Sequence, residues 1–268
     1  MKMAAGRRLT APLVAGLLIG LLYLSRIDGN FYFLWGLESQ GILLSQALAE
    51  GRGMVDLSLP GHPAHVREPP LFYFMLSLCI RAFGVKMLPL KLVMWAGYTF
   101  SAGLTAALWQ RRVPPWLAAF AAVFALAAPE LFRTATGPKS DLPFAAVVLA
   151  ALLLAESVVE RVGAEWGRRQ WGRAAGAGLL LATAVMMRSL GLAALLAALG
   201  AVLYRTGWRD WRRGVRPALW LLLPTALAVG AWSARGAALD NPAGYNYVDW
   251  FLMDMEPDSP EMTAVDFH

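Results

Sequence analysis

The residues of this chain that could do chemistry are two carboxylates and a small group of cations in its polar segments. Glu38 lies near the start of an amphipathic stretch, and Asp141 follows a short polar segment. A positioned carboxylate can take a proton from an acceptor hydroxyl while cations hold a phosphate leaving group. The candidate cations are Arg67, Lys139 and Arg188. These residue types together indicate group transfer from a phosphate-linked donor to a hydroxyl.

Asp141 and Arg188 also have ordinary structural explanations. Ser140 or Asp141 could cap the helix that follows, with Pro143 in its first turn. Arg188 could pair with a lipid phosphate or an outer carboxylate, because an isolated arginine between two short spans is costly unless it is paired. The functional interpretation gives Arg188 an anionic headgroup to bind.

A loop rich in glycine and proline, between residues 51 and 70, supplies further candidates. Gly and Pro at this density break helices and shape a loop. His62 and His65 are three residues apart, but Pro63 between them disfavours a shared helical face and therefore a metal site made from this pair. We expect both histidines, with Asp28, to be loop contacts of the site. A solvated loop that ties two helices together is the alternative.

Several classes of site are excluded by what the sequence lacks. It contains neither GxGxxG nor GxxxxGK[ST], so no nucleotide-binding loop is predicted. Cys79 is the only cysteine, which excludes an intrachain disulfide and a zinc site made of cysteines. The net charge of +6 is spread over several loops without a basic face interleaved with aromatic residues, so no nucleic-acid partner is expected.

Membrane helices are the predicted elements that must position these residues. Hydrophobic residues make up 58% of the 268, charged residues only 16%, and the mean hydropathy is +0.50. A soluble domain carries about 25% charged residues. The composition therefore predicts an all-α polytopic membrane protein with only short water-facing segments.

The distribution of charge predicts the topology. Lys and Arg cluster between apolar stretches, whereas residues 236–268 hold seven acids and no Lys or Arg. Cytoplasmic loops carry the Lys/Arg excess, and a span needs about 20 apolar residues. We expect a cytoplasmic N-terminus on an uncleaved first span, a long outer loop at 26–87 and an outer tail. The predicted spans are 9–25, 88–109, 114–133, 142–158, 174–187, 190–204 and 217–234.

Two segments leave room for another topology. Residues 70–85 look apolar enough for a span but are short and contain Arg81, so we expect an interfacial helix on the outer surface. Residues 174–204 could be one long helix. Basic clusters at both ends favour two short crossings that turn at Arg188 and Ser189, because a single crossing would place one cluster outside.

Four motifs in this order resemble the polytopic GT-C-fold glycosyltransferases, in particular bacterial members of family 39 such as protein O-mannosyltransferases and aminoarabinose transferases. Residues 38–84, which include "ALAEGRG" and "PPLF", resemble the first periplasmic loop of that family with its amphipathic interfacial helices. "SDLPF" at 140–144 resembles the acidic motif of its second loop. "MRSLGLAALL" at 187–196 and "LLLPTALAVGAWSAR" at 221–235 resemble its arginine-containing turn and the span that follows.

The resemblance implies a GT-C-like transmembrane bundle over residues 1–235, followed by a truncated periplasmic segment at 236–268. It implies an inverting glycosyltransferase of the bacterial inner membrane, whose active face is periplasmic. The donor would be a polyprenyl-phosphate-linked sugar, and the acceptor a lipid, a glycan or a protein. By the resemblance, Glu38 would act as the base on the acceptor, and Asp141 would assist it or hold a divalent metal in members that use one.

The chain departs from the family pattern where the first loop begins. The family has Asp, often Asp-Glu, followed by Tyr, whereas this chain has Leu37-Glu38 and then Gly41. Aligning Asp28 with Tyr32 restores the pattern but changes the spacing to Gly51. The alternative function is therefore a degenerate or truncated membrane protein that binds lipid-linked glycan without transfer. A transporter is disfavoured, because the sequence shows no charged residue buried in the middle of a span.

Overall fold

The computed structural model of this chain describes residues 7–25, 27–30, 36–66, 68–162, 166–207 and 210–239. The predicted phosphate ligand Arg67 and the predicted outer tail from residue 240 onward lie outside the described residues. Within the described part the regular secondary structure is helical, apart from one antiparallel bridge between Val55 and Ala64. Its helices are α1 Arg7–Leu24, α2 Gly36–Ala49, α3 Leu71–Phe83, α4 Met87–Trp109, α5 Pro115–Leu126, α6 Pro129–Thr134, α7 Asp141–Val159, α8 Arg168–Met187, α9 Gly191–Thr206 and α10 Trp211–Ala238.

Helices occupy all seven segments that the sequence predicts as spans, with one correction in the third. The predicted third span is continuous over 114–133, whereas the structure divides it into α5 and α6. Pro129 lacks an N–H and disfavours helical geometry in the residue before it. Ala128 accordingly has φ −55° and ψ 133°, which ends the helical path.

Between α8 and α9 the chain turns at Arg188, so residues 174–204 form two helices and not one. Arg188 is extended, with φ −154° and ψ 140°. Gly191 permits the turn to close, because a Cβ there would lie 2.5 Å from the backbone nitrogen of Val185. The turn therefore places the Arg188 side chain at the end of the bundle where both helices meet.

Glycine contacts bring the long helices close together. Gly16 and Gly20 of α1 pack on Thr99 of α4, where Cβ atoms would lie 3.2 Å and 3.0 Å from its oxygen atoms. This small-residue face of α1 therefore serves packing within the chain. Gly178 of α8 packs on the backbone carbonyl of Trp220 in α10.

The surface of the helices has the character of a membrane protein. Large apolar side chains such as Leu17, Phe120 and Phe124 are 62%, 63% and 75% exposed. Contact between such side chains and lipid tails carries no hydrophobic cost, and small residues pack the helix interfaces instead. By length and composition alone, α7 and α10 suffice to cross a membrane, and α1, α5 and α9 are shorter apolar helices.

Helices α2 and α3 form a layer of their own at one end of the bundle. With 13 residues, α3 is about 20 Å long, too short for a bilayer core of about 30 Å. Leu76 and Ile80 face a core shared with α2 and α4, whereas Phe74 and Leu78 are exposed. Arg81 donates to the carbonyls of Leu48 and Ala49, so it caps the end of α2.

Candidate functional site

The candidate residues converge at the end of the bundle where α1, α6, α8 and α10 end and α4, α7 and α9 begin. Two long-range hydrogen bonds join the segments there. Tyr23, near the end of α1, donates to the carbonyl of Ala135, and Arg235, near the end of α10, donates to the carbonyl of His65 at 3.1 Å. We call this the site end of the bundle.

Glu38 lies in the first turn of α2, and its side chain is only 7% exposed. Its Oε1 lies 2.9 Å from Nζ of Lys139. Its Oε2 is buried and has no hydrogen-bond partner among the described residues. Gly137 leaves space beside this oxygen, since a Cβ at that position would lie 3.2 Å from it. A buried acceptor without a donor costs about 1–3 kcal/mol, so a ligand hydroxyl that donated here would be stabilised.

Asp141 is the first residue of α7 and pairs with Arg188, whose guanidinium donates to Oδ1. Both side chains remain accessible, Asp141 at 45% and Arg188 at 38%. The alternative in which Ser140 caps α7 through its side chain is wrong, because Ser140 makes no such hydrogen bond. Arg188 instead has a carboxylate partner, Asp141, which offsets the cost of placing a lone arginine in an apolar setting.

The two ion pairs are close in the chain as well as at the same end of the fold. Lys139, which binds Glu38, precedes Asp141 by two residues. Gly97 of α4 holds the start of α7 in place, since a Cβ there would lie 2.6 Å from the nitrogen of Pro143 and 2.8 Å from the carbonyl carbon of Leu142. The close approach of α4 thus decides where the Asp141 carboxylate can sit.

A third polar group flanks the Pro-Pro motif at residues 69 and 70. Tyr73 of α3 donates to Glu68, whose carboxylate lies 4.0 Å from Nε2 of His65. Burial raises the pKa of Tyr73, and the charge of Glu68 raises it further, so the phenol stays protonated and remains a donor. The positive charge of Arg188 opposes this shift, which places Tyr73 within electrostatic reach of the second ion pair. Glu68 was not among the predicted site residues, although it stands beside Arg67.

Asp28 belongs to a separate pair. Its Oδ1 accepts from Nζ of Lys91 at 2.7 Å, and the same ammonium donates to the carbonyl of Asn30 at 2.9 Å. Lys91 lies in α4 and is 0% exposed. Lys91 lies one turn inside α4 and not in the middle of the span, so it does not contradict the expectation that no charge is buried in the middle of a span. In the sequence, the signal for this buried ion pair was a lone lysine near the start of an otherwise apolar helix.

The two histidines have different environments. His65 is buried at 8% exposure, whereas His62 is exposed and has a positive φ of 48° in a turn that its N–H closes on the carbonyl of Leu59. His62 makes no contact with the acids in the part of the chain that the structure describes.

Arg235, which donates to the carbonyl of His65, stacks on Trp232 with its Cζ 4.5 Å from the ring centroid. Trp232 was not among the predicted site residues.

The described residues at the site end do not offer a ligand set for a divalent metal. The Glu38 and Asp141 carboxylates each face a side-chain cation. Over the described ranges, no group of three or more His, Cys, Asp and Glu side chains could hold a metal ion. The chemistry of the donor set is therefore that of ion pairs and hydrogen bonds.

A large groove lies elsewhere in the bundle. It has a volume of about 1160 Å³ and is lined by residues of α1, α4, α7 and α8, with Gly16, Gly20 and Trp95 in its wall. Arg111 and Arg173 line its far end, and none of the predicted site residues borders it. The groove is an apolar feature of the bundle wall, distinct from the polar site end.

No protein-family model matches the sequence, and none of the curated proteins is similar to it. Two solved structures resemble the chain, both of ArnT from Cupriavidus metallidurans. The form bound to undecaprenyl phosphate has a TM-score of 0.63 and 18% identity over 93% of this chain and 44% of that one. The apo form has a TM-score of 0.64 and 17% identity over 90% of this chain and 43% of that one. The chain thus spans less than half the length of these proteins, and at this identity the likeness confirms one expectation, an all-α membrane protein with the GT-C fold.

Proposed function

We propose that this chain carries the catalytic face of a membrane glycosyltransferase that moves a sugar from a polyprenyl-phosphate donor to an acceptor hydroxyl. The observation that carries the proposal is the environment of Glu38. A buried carboxylate has one oxygen paired with Lys139, and the other has no partner among the described residues. The hydroxyl of an incoming acceptor could donate a hydrogen bond to this second oxygen.

The proposed reaction uses groups of this chain at each point. Oε2 of Glu38 takes the proton of the acceptor hydroxyl as its oxygen attacks the anomeric carbon. The bond from that carbon to the donor phosphate oxygen breaks, and the phosphate leaves with both bonding electrons. Lys139 and Arg188 stabilise its charge, with Arg67 as a third proposed ligand. Attack opposite to the leaving phosphate inverts the sugar carbon.

The fold supports the choice of donor. ArnT, with which this chain shares the fold, was solved bound to undecaprenyl phosphate. A polyprenyl phosphate brings an anionic headgroup to the membrane surface. Lys139 and Arg188, both partly exposed at the site end, are suited to such a group.

We further propose that the site end faces the periplasm of a bacterial inner membrane, with seven crossings and a cytoplasmic N-terminus. Lys/Arg clusters support this orientation, since Arg111 and Arg112 follow the far end of α4 and Arg205 lies near the far end of α9. The Glu38, Lys139 and Asp141 cluster is at the opposite end.

The test is release of free polyprenyl phosphate from membranes that contain the full-length protein. The donors would be undecaprenyl-phosphate hexoses and pentoses, each supplied with lipid, glycan and peptide acceptors. We expect Glu38→Gln to reduce release by about 10²-fold or more, because the general base is lost. Asp141→Asn should reduce it too, because Arg188 loses its partner. Glu50→Gln is the matched control, because Glu50 lies away from the site and forms its own ion pair with Arg52 at 2.9 Å. Full activity in Glu38→Gln would contradict the proposal.

A second candidate function is binding of lipid-linked glycan without transfer. The ion pairs favour it, since both acids are neutralised by cations and the first-loop acid is Glu in place of the Asp of the resembled family. Binding of donor with no release of polyprenyl phosphate under any acceptor would establish this function instead.

A further inference from the structure

The two cations proposed to hold the donor phosphate are the same two that neutralise the candidate acids. Lys139 binds Glu38, and Arg188 binds Asp141. A cation that turns its N–H donors and its charge toward a phosphate binds its carboxylate less strongly, because an ammonium has three such donors and a guanidinium five to divide between the two anions. A donor phosphate at this site must therefore compete with the acids of the protein itself.

The first pair is asymmetric in a way that favours such competition. Glu38 is 7% exposed, whereas Lys139 is 39% exposed. A ligand can therefore approach the ammonium from the open side without displacing the buried acid. Lysine is a point charge on a flexible stem, so a small rotation redirects it. The carboxylate, held among packed groups of α2 and beside Gly137, stays where it is.

We propose that the donor binds by partner exchange: its phosphate takes Lys139 from Glu38 and thereby releases the carboxylate to act on the acceptor hydroxyl. This inference rests on the proposed function and adds its regulation. A buried carboxylate that loses a paired cation accepts a proton more readily, because its charge is no longer compensated. The base is therefore restrained until a donor is in place, and donor binding precedes deprotonation of the acceptor.

The same logic applies to the second pair in a weaker form. Asp141 and Arg188 are both accessible, so water screens their attraction and release of Arg188 changes Asp141 less. Exchange at Lys139 is accordingly the step that controls the base.

The experiment is a double-mutant cycle of binding to undecaprenyl phosphate, without sugar, in detergent micelles. Tryptophan fluorescence of the full-length protein reports occupancy, and size-exclusion profiles establish that each variant is folded. In Glu38→Gln, Lys139 is no longer held by a charge, so undecaprenyl phosphate should bind about two- to fivefold tighter than to the wild type. In Lys139→Gln it should bind more weakly. In the double variant the gain from Glu38→Gln should vanish.

Each outcome decides between specific explanations. If Glu38→Gln tightens binding equally in the Lys139→Gln background, simple repulsion between Glu38 and the phosphate is the cause and partner exchange is overturned. If undecaprenyl phosphate binds the wild type but binds Glu38→Gln equally or more weakly, partner exchange is overturned and the proposed donor still stands. Absence of binding in the wild type and in every variant overturns the proposed donor, and the exchange with it. Glu50→Gln is the control whose affinity should equal that of the wild type.

Discussion

Among single residues, the acids of the site end differ in what holds their charge. Glu38 and Asp141 face partly exposed cations, whereas Asp56 accepts hydrogen bonds from neutral donors. Its Oδ2 accepts from Gln40 at 2.8 Å, and its Oδ1 accepts from the backbone and hydroxyl of Ser58 at 2.9 Å and 2.5 Å. Burial alone raises the pKa of Asp56, but these hydrogen bonds and the nearby charge of His65 outweigh it and hold the pKa below its usual value. Asp56 therefore shapes the loop that carries His65.

This lowered pKa predicts how the loop responds to pH. A carboxyl whose pKa is depressed on folding stabilises the protein above its unfolded pKa of about 3.9, and the contribution is lost as the pH falls through the folded value. Asp56→Asn should therefore lower the apparent melting temperature at pH 7. The difference from the wild type should shrink toward pH 3. A pH series of thermal unfolding in detergent tests this, and a difference that grows on acidification would contradict it.

Among the helices, close backbone contacts place the ends of α7, α8 and α10. Pro224 cannot donate to the carbonyl of Trp220 four residues earlier, and Gly178 of α8 packs directly on that carbonyl. The same glycine also lies near the ring of Pro224. Glycine is required here because any side chain at 178 would separate the two helices.

Two substitutions within α8 test this contact. Gly178→Ala should destabilise the protein by about 1–3 kcal/mol, because the added methyl group collides with backbone. Gly172→Ala is the matched control, since nothing lies within 4 Å of the position of its Cβ. There, alanine should stabilise the helix by up to about 1 kcal/mol through its propensity. Opposite shifts of the apparent melting temperature would support the packing, and a harmless Gly178→Ala would refute it.

For the whole molecule, the sequence pattern predicts helices better than it predicts partners. Apolar runs between basic clusters located the helices, although α8 and α10 begin six residues before the predicted spans at 174 and 217. The pattern also continued through Pro129, where one proline imposes a break. Lys91 and Glu68 were missed because their importance comes from what the fold brings to them. Asp28 reaches Lys91 across 63 positions. A lone lysine in an apolar helix signals a buried ion pair, but the sequence around it does not reveal which distant residue is its partner.

The topology remains the prediction on which the location of the chemistry depends. In a Cys79→Ser background, single cysteines at positions 62 and 139 would report the site end, and cysteines at 112 and 205 the opposite end. An impermeant maleimide applied to intact spheroplasts should label the first two and leave the second two unlabelled until the membrane is permeabilised. We expect this labelling pattern because loops that carry the Lys/Arg excess stay in the cytoplasm. Labelling of 139 only after permeabilisation would place Glu38 and Lys139 on the cytoplasmic side, where the periplasmic transfer proposed here could not occur.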